Sequence, residues 1–248
     1  MQVVITKKQR IFASWTSDVL VYIVVLNLFV EFVDAVVIDS FWISILTAVS
    51  PDTVVLDIGT SIGIHALLAC KFGARKVYAI EPDNTINLAR ELAELNGFAG
   101  HIEFIHDVST NVTLPERADI IVSDLRGALP LFDQHIPSII DARQRHLSPN
   151  GILIPQKDTL WVSVVEAGTI YETLLRPWDT PYGLKMDPAQ QSALNQWQYD
   201  DTDLFQATNL LTEPTKWAVL NYNTIASLEY TAQKWSKRLY VRGLLMVY

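Results

Sequence analysis

The strongest constraint on the fold is an alternation of strand and helix signals between Thr53 and Ile154. Thr53 to Ile58 is short, mostly apolar and β-branched, the pattern of a strand buried on both faces. Ile62 to Phe72 spaces its apolar residues for a helix, and Gly73 is a stop signal. Lys76 to Ile80 reads as a second strand. Thr85 to Leu95 reads as a second helix, capped by Asp83 or Asn84 and ended by Asn96-Gly97. Ile102 to Ile105 and Ala118 to Val122 follow as strands. Pro137 to His146 is a helix, Ser148 to Gly151 a turn, and Gly151 to Ile154 opens a further strand. Such alternation implies an α/β fold, a Rossmann-like doubly wound parallel sheet with right-handed crossovers. Ligands of these folds sit outside the carboxyl ends of the strands.

The flanks read differently. Asp18 to Val49 suggests N-terminal helices in two pieces. Its uncharged part, Val19 to Val30, is shorter than the about 20 apolar residues a bilayer span needs. No small-residue cleavage site marks a signal peptide. A buried helix pair is expected, one that can offer a homodimer surface, and membrane contact is not. After Pro155 the chain turns to strand patterns at Thr159 to Val165, Trp217 to Tyr222, Ile225 to Tyr230 and Arg238 to Val247, with a short helix near Pro188 to Leu194. The expected division is therefore 1–155, N-terminal helices plus the parallel-sheet domain, and 156–248, a smaller β-rich domain.

Half of the residues are hydrophobic, enough for a packed core. The net charge of −8 argues against a nucleic-acid partner, which would need clustered Lys and Arg. Cys70 is the single cysteine, so no internal disulfide forms, and its place in an apolar helix pattern points to packing. His101 and His106 have no third ligand at metal spacing, and no metal is expected.

The first strand leads into V-V-L-D-I-G-T-S-I-G-I-H. Asp57 lies near the strand's end, and Gly59 and Gly63 flank the turn into the helix. Glycines there let a backbone approach a ligand where a Cβ would clash, and a helix N-terminus offers free amides. Glu81 ends the next strand, where an acid can accept both hydroxyls of a ribose. A nicotinamide dinucleotide wants G-x-G-x-x-G, but Ser61 and Ile64 hold the second and third glycine positions. Asp57 would repel a pyrophosphate and would suit the ammonium of a methionine moiety. These residues favour S-adenosyl-L-methionine as cofactor over NAD. His65, after Gly63, is either cofactor-facing or a satisfied buried histidine.

Here the chain resembles a family. V-L-D-I-G-T-S-I-G followed by G-A-R-K-V-Y-A-I-E-P-D is similar to the cofactor site of the protein arginine methyltransferases. The run A-D-I-I-V-S-D-L-R-G-A-L-P-L-F-D-Q-H, then H-L-S-P-N-G-I-L-I-P, resembles that family's double-acid loop and the strand after it. The resemblance covers Asp34 to Pro155 closely and the β-rich half more loosely. It implies a β-barrel-like second domain, here a partial one, and a cytoplasmic transferase. The implied cofactor contacts are Asp57, Gly59, Gly63, Glu81, Pro82 of the E-P-D motif, and Asp107 and Val108 after the third strand, near adenine.

The family's two loop glutamates grip a substrate guanidinium, and the matching positions hold Asp124 and Asp133. Arg126 lies between them where the family has an apolar residue. It can pair with either aspartate and occupy the guanidinium site, or read a substrate carboxylate. Asp133 can instead cap the helix that follows it. Val37 stands where the family has an arginine for the methionine carboxylate, and no match appears for the barrel segment that supports the acid loop. The resemblance thus implies methyl transfer to a protein (arginine-containing) or small-molecule nucleophile. A small-molecule N- or O-methyltransferase and a non-catalytic partner-binding module remain as alternatives.

Overall fold

The computed structural model describes residues 21–26, 44–126, 130, 134–166, 176–179, 181–194, 210–226, 238–241 and 244–247. Its elements run β1 (Val21–Leu26), a helical segment at 44–48, β2 (Val54–Ile58), α1 (Ile64–Lys71), β3 (Lys76–Ile80), α2 (Ile86–Leu95), β4 (Ile102–Ile105), β5 (Ala118–Ser123), α3 (His135–Arg145), β6 (Leu147–Ile154), β7 (Lys157–Glu166), α4 (Asp187–Leu194), β8 (Thr215–Asn221), β9 (Arg238–Val241) and β10 (Leu244–Val247).

The contacts divide the chain into two compact units. The first comprises Asn27–Asp158 with Val219–Leu228. It holds a five-stranded sheet of order β4-β3-β2-β5-β6, every neighbouring pair parallel. The chain lays down β2, β3 and β4 in one direction, then returns to place β5 on the other side of β2. The switch point therefore lies between β2 and β5. β2 is buried at every position, because its Val, Leu and Ile side chains meet helices on either face. The core gathers Val55, Val77, Ala79, Ile120 and Val122 of the strands with Ala66, Ala69 and Cys70 of α1 and Ala93 of α2. The buried residues of each helix fall at i, i+3 and i+4 or i+7, the stripe of an amphipathic helix. Cys70 packs in this core, and burial pushes its thiol up to about 11.

The second unit contains β1, most of β7 and β8, α4, and the β9–β10 hairpin. β1 pairs antiparallel with β7, Val21 facing Glu166 and Leu26 facing Trp161, and the sheet order is β1-β7-β8. This corrects the helical reading at Val21–Leu26. The run VYIVVL is dominated by β-branched Val and Ile, and pairing with β7 satisfies its backbone without a helix. The single strand expected over Arg238 to Val247 is instead two antiparallel strands, Leu244 facing Val241. Ile225, expected to open a strand, follows a turn instead; its N–H donates to the carbonyl of Asn221. The rest of that expected strand lies outside the described residues. Val21–Leu26, read from sequence with the parallel-sheet domain, falls in the same unit as most of β7.

Candidate functional site

The register of the parallel sheet places one row of residues across its carboxyl edge. Ile58 of β2 faces Ile80 of β3 and Ser123 of β5, and Ile80 faces Ile105 of β4. Asp57 sits one residue before this row. Glu81 and Asp124 sit one residue beyond it, and Asp107 two residues beyond. Four acids from four strands thus line the edge beside the switch point, where α/β folds bind ligands.

Asp57 is fully buried. Its Oδ2 accepts the hydroxyl of Thr60 at 2.6 Å and the backbone N–H of Ala66 at 3.1 Å. Gly63 is the N-cap of α1 and Ala66 its third residue, so the acid that closes the β2 end also caps the next helix. Its Oδ1 is buried without a hydrogen-bond partner, and Nδ1 of His65 lies 3.8 Å away. Burial is the largest influence on His65 and lowers its pKa. The negative charges of Asp57 and Asp124 outweigh it, and the imidazole ends above its ordinary value.

Gly59 and Gly63 both adopt positive φ, 73° and 87°. A Cβ on Gly59 would lie 2.3 Å from Cδ2 of Leu125, and one on Gly63 would lie 3.1 Å from Cβ of Ala89. The sequence reading gave these glycines to ligand clearance. In the structure their Cβ directions meet protein, and the positive φ itself favours glycine. The loop between them is held by Glu81, 8% exposed, whose Oε2 accepts the N–H of Ser61 and whose Oε1 accepts the N–H of Asp83, both at 2.9 Å. The N-cap of α2 is Thr85, and its N–H donates to Oδ1 of Asp83, so one of the two expected caps serves the helix from just outside it.

The carbonyl of Pro82 lies 3.0 Å from Nε2 of His106, tying the ends of β3 and β4. Oδ1 of Asp107 accepts the side-chain amide of Asn111 at 2.9 Å and the N–H of Val108 at 2.6 Å. The Asn111 and Val108 hydrogen bonds hold the exposed carboxyl of Asp107 below its usual range. Val108 itself is exposed.

On the β5 side, Asp124 is exposed and its Oδ1 accepts Nε–H of Arg126 at 2.8 Å. The guanidinium turns its Nη1 toward Oδ1 of Asp158, 3.2 Å away. Asp158 is 3% exposed, and its Oδ2 accepts the hydroxyl of Tyr222. The ring of Tyr222 packs edge-on against His135 with centroids 5.1 Å apart. His135 is buried with neither ring nitrogen hydrogen-bonded, and burial lowers its pKa to about 4. Asp133 and Val37 lie outside the described residues. α3 starts at His135 with Gln134 in the N-cap position, two residues before the expected Pro137.

Against this geometry, a model of the ribosomal protein L11 methyltransferase (PrmA) family matches residues 39–164, just over half of the chain. The chain belongs to this methyltransferase family. It is also similar to curated arginine methyltransferases. It is 29% identical to protein arginine N-methyltransferase 2 of Dictyostelium discoideum over 178 residues, 70% of this chain and 35% of that protein. It is 40% identical to PRMT10 of Oryza sativa subsp. japonica over 114 residues, 46% of this chain and 30% of that protein. The chain thus spans about a third of these relatives' length.

Among solved structures, the Trypanosoma brucei PRMT1 enzyme-prozyme heterotetrameric complex with AdoHcy superposes with a TM-score of 0.69 at 23% identity, over 76% of this chain and 59% of that one. Arabidopsis thaliana protein arginine methyltransferase 10 gives 0.64 at 23% identity, over 79% of this chain and 62% of that one. These likenesses establish a methyltransferase Rossmann-like fold.

In this chain the sequence named Asp57, Glu81, Asp107, Asp124 and Arg126, and the structure brings them to the carboxyl edge. It missed Asp158, Tyr222 and His135. The only sequence signal for Asp158 was an acid entering an otherwise apolar strand. No group of three His, Cys, Asp or Glu gathers as a metal site among the described residues, and no described helix is long and apolar enough to cross a membrane.

Proposed function

We propose that this chain is an S-adenosyl-L-methionine-dependent methyltransferase of the arginine-methyltransferase type, acting on a protein or small-molecule nucleophile. The observation that carries the reading is Oδ1 of Asp57, a buried carboxylate oxygen without a hydrogen-bond donor at the switch-point edge. A buried acceptor of this kind is costly unless a ligand supplies a donor. The ammonium of a methionine moiety supplies one with charge of the right sign, whereas a pyrophosphate would be repelled. Glu81 spends one lone pair of each oxygen on a backbone amide and keeps capacity for the two hydroxyls of a ribose. Pro82 and the Asp107–Val108 turn extend the same edge toward an adenine, and Gly59 and Gly63 hold the loop in shape.

When bound, the cofactor supplies an electrophilic methyl on a sulfonium: an acceptor lone pair forms the new bond while the S–C pair returns to sulfur. The protein's part is to align the acceptor and take up its proton. Asp124, exposed at the end of β5, is positioned for that role, with Asp133 as its partner in the family pattern. The pairing of Arg126 with Asp124 favours a small-molecule N- or O-acceptor as the second reading. A cytoplasmic setting and a homodimer complete the proposal, the latter checked by sedimentation.

Calorimetry of the full chain with S-adenosyl-L-methionine tests the reading. Saturable heat that is lost on Glu81→Ala is the expected result. Absence of heat at millimolar cofactor would leave only a non-catalytic module.

A further inference from the structure

We propose that Arg126 is a specificity-determining residue that denies the acid loop to guanidinium substrates, so that the methyl acceptor is a neutral N–H or O–H group rather than an arginine side chain. This deepens the reading above and rests on it for Asp124 as the acceptor-side acid.

The argument starts from what a guanidinium needs. Its planar fork is recognised by carboxylate edges that can accept two parallel N–H donors. Oδ1 of Asp124 already accepts Nε–H of Arg126 at 2.8 Å. Arg126 cannot leave this role by losing its proton, since a guanidinium stays charged in proteins. A second guanidinium approaching Asp124 would meet this fixed cation within a few ångströms, and like charges at that range repel.

Displacement of Arg126 is opposed at its far end. Its Nη1 lies 3.2 Å from Oδ1 of Asp158, whose side chain is 2% exposed. The other oxygen of Asp158 is occupied by the hydroxyl of Tyr222. If Arg126 swung out, Asp158 would be a buried charge without its cation, which is strongly unfavourable. Arg126 itself is only 12% exposed in its side chain, while Asp124 is 37% exposed. The cation is thus set behind an acid whose remaining surface faces out.

A neutral acceptor asks less of the site. Its lone pair forms the bond to the methyl carbon, the S–C pair returns to sulfur, and its N–H or O–H proton passes to the carboxylate of Asp124. One acceptor oxygen suffices, and no second cation has to be accommodated beside Arg126.

The test uses the full chain and two peptides that differ only in one residue, arginine or its neutral isostere citrulline. Wild type is expected to bind the arginine peptide no tighter than the citrulline one. The double variant Arg126→Met with Asp158→Ala removes the internal cation without stranding the buried acid. It is expected to prefer the arginine peptide by about tenfold or more.

An arginine preference of that size in wild type would overturn the proposal, as would a folded double variant with no gain. If the double variant fails to fold, the wild-type comparison alone decides. Calorimetry with S-adenosyl-L-methionine on the same samples reads the underlying proposal separately. Loss of cofactor binding would sink the methyltransferase reading, and the arginine–citrulline comparison would still report on Arg126.

Discussion

The backbone N–H of Ala66 donates to Oδ2 of Asp57 across 3.1 Å, so the acid at the end of β2 anchors the helix that β2 leads into. The same oxygen takes the hydroxyl of Thr60, while Oδ1 is buried without a hydrogen-bond partner. One side chain therefore holds the loop with one oxygen, and in the proposed function it offers the other to the cofactor. The two tasks separate by substitution. Asp57→Ala is expected to remove both and to destabilise the fold by about 1–3 kcal/mol, read from the urea midpoint. Asp57→Asn keeps an amide oxygen for Ala66 but loses the charge. It should retain most stability and lose cofactor affinity by about tenfold or more. Wild-type affinity in Asp57→Asn would remove this acid from the binding site.

Gly59 carries two constraints at once, a φ of 73° and an approach to Leu125 that leaves a Cβ only 2.3 Å. Gly59→Ala is expected to cost about 1–2 kcal/mol from the left-handed backbone alone, with the clash in addition. Leu125→Ala in the same background relieves the clash and leaves the backbone part. A double-mutant cycle in thermal or urea unfolding should therefore show the two changes coupled. Strict additivity would mean that Leu125 does not press on the loop.

The parallel sheet was legible because its strands are short apolar runs punctuated by Gly, Pro and Asn, and because Glu81, Asp107 and Asp124 fall just past such runs. Glu81 could be placed that way, but not its bonds to Ser61 and Asp83, which depend on a loop conformation that no periodicity encodes. β1 was misread because VYIVVL has neither helical nor alternating period, and its partner, Trp161–Glu166, is remote in sequence. The run from Arg238 to Val247 carried a breaker signal, Gly243, that the apolar pattern around it concealed. The Arg126–Asp158 pair joins residues 32 apart, a contact that no local spacing or periodicity encodes.

His135 makes the fold sensitive to acid. Burial lowers its pKa to about 4, against the ordinary 6.5 of an unfolded chain. Above pH 6.5 both states are neutral and the residue adds no pH dependence. Between 6.5 and 4 the unfolded chain takes up the proton first, so stability falls as pH falls. The full excursion corresponds to about 3 kcal/mol. His135→Phe fills a similar space against Tyr222 without a titrating group or unmet nitrogens. Its unfolding free energy should fall less steeply from pH 7 to 4.5 than that of wild type. Parallel curves for the two proteins would show that His135 protonates freely in the folded state.

Tyr222 and Asp158 form the buried end of the network that begins at Asp124. Tyr222→Phe deletes one hydrogen bond to a charged acceptor and is expected to cost about 1.5–3 kcal/mol. Asp158→Ala leaves Arg126 without its buried acid while Asp124 still holds Nε, so the loss should fall near the lower end of that for a broken buried pair, about 3 kcal/mol. Once Asp158 is gone the Tyr222 hydroxyl has lost this acceptor, and adding Tyr222→Phe should then cost little. Chemical denaturation of the two single variants and the double variant measures this directly. Losses that simply add would mean that the Tyr222 hydroxyl and Asp158 stabilise the fold independently, and that the pair is no unit.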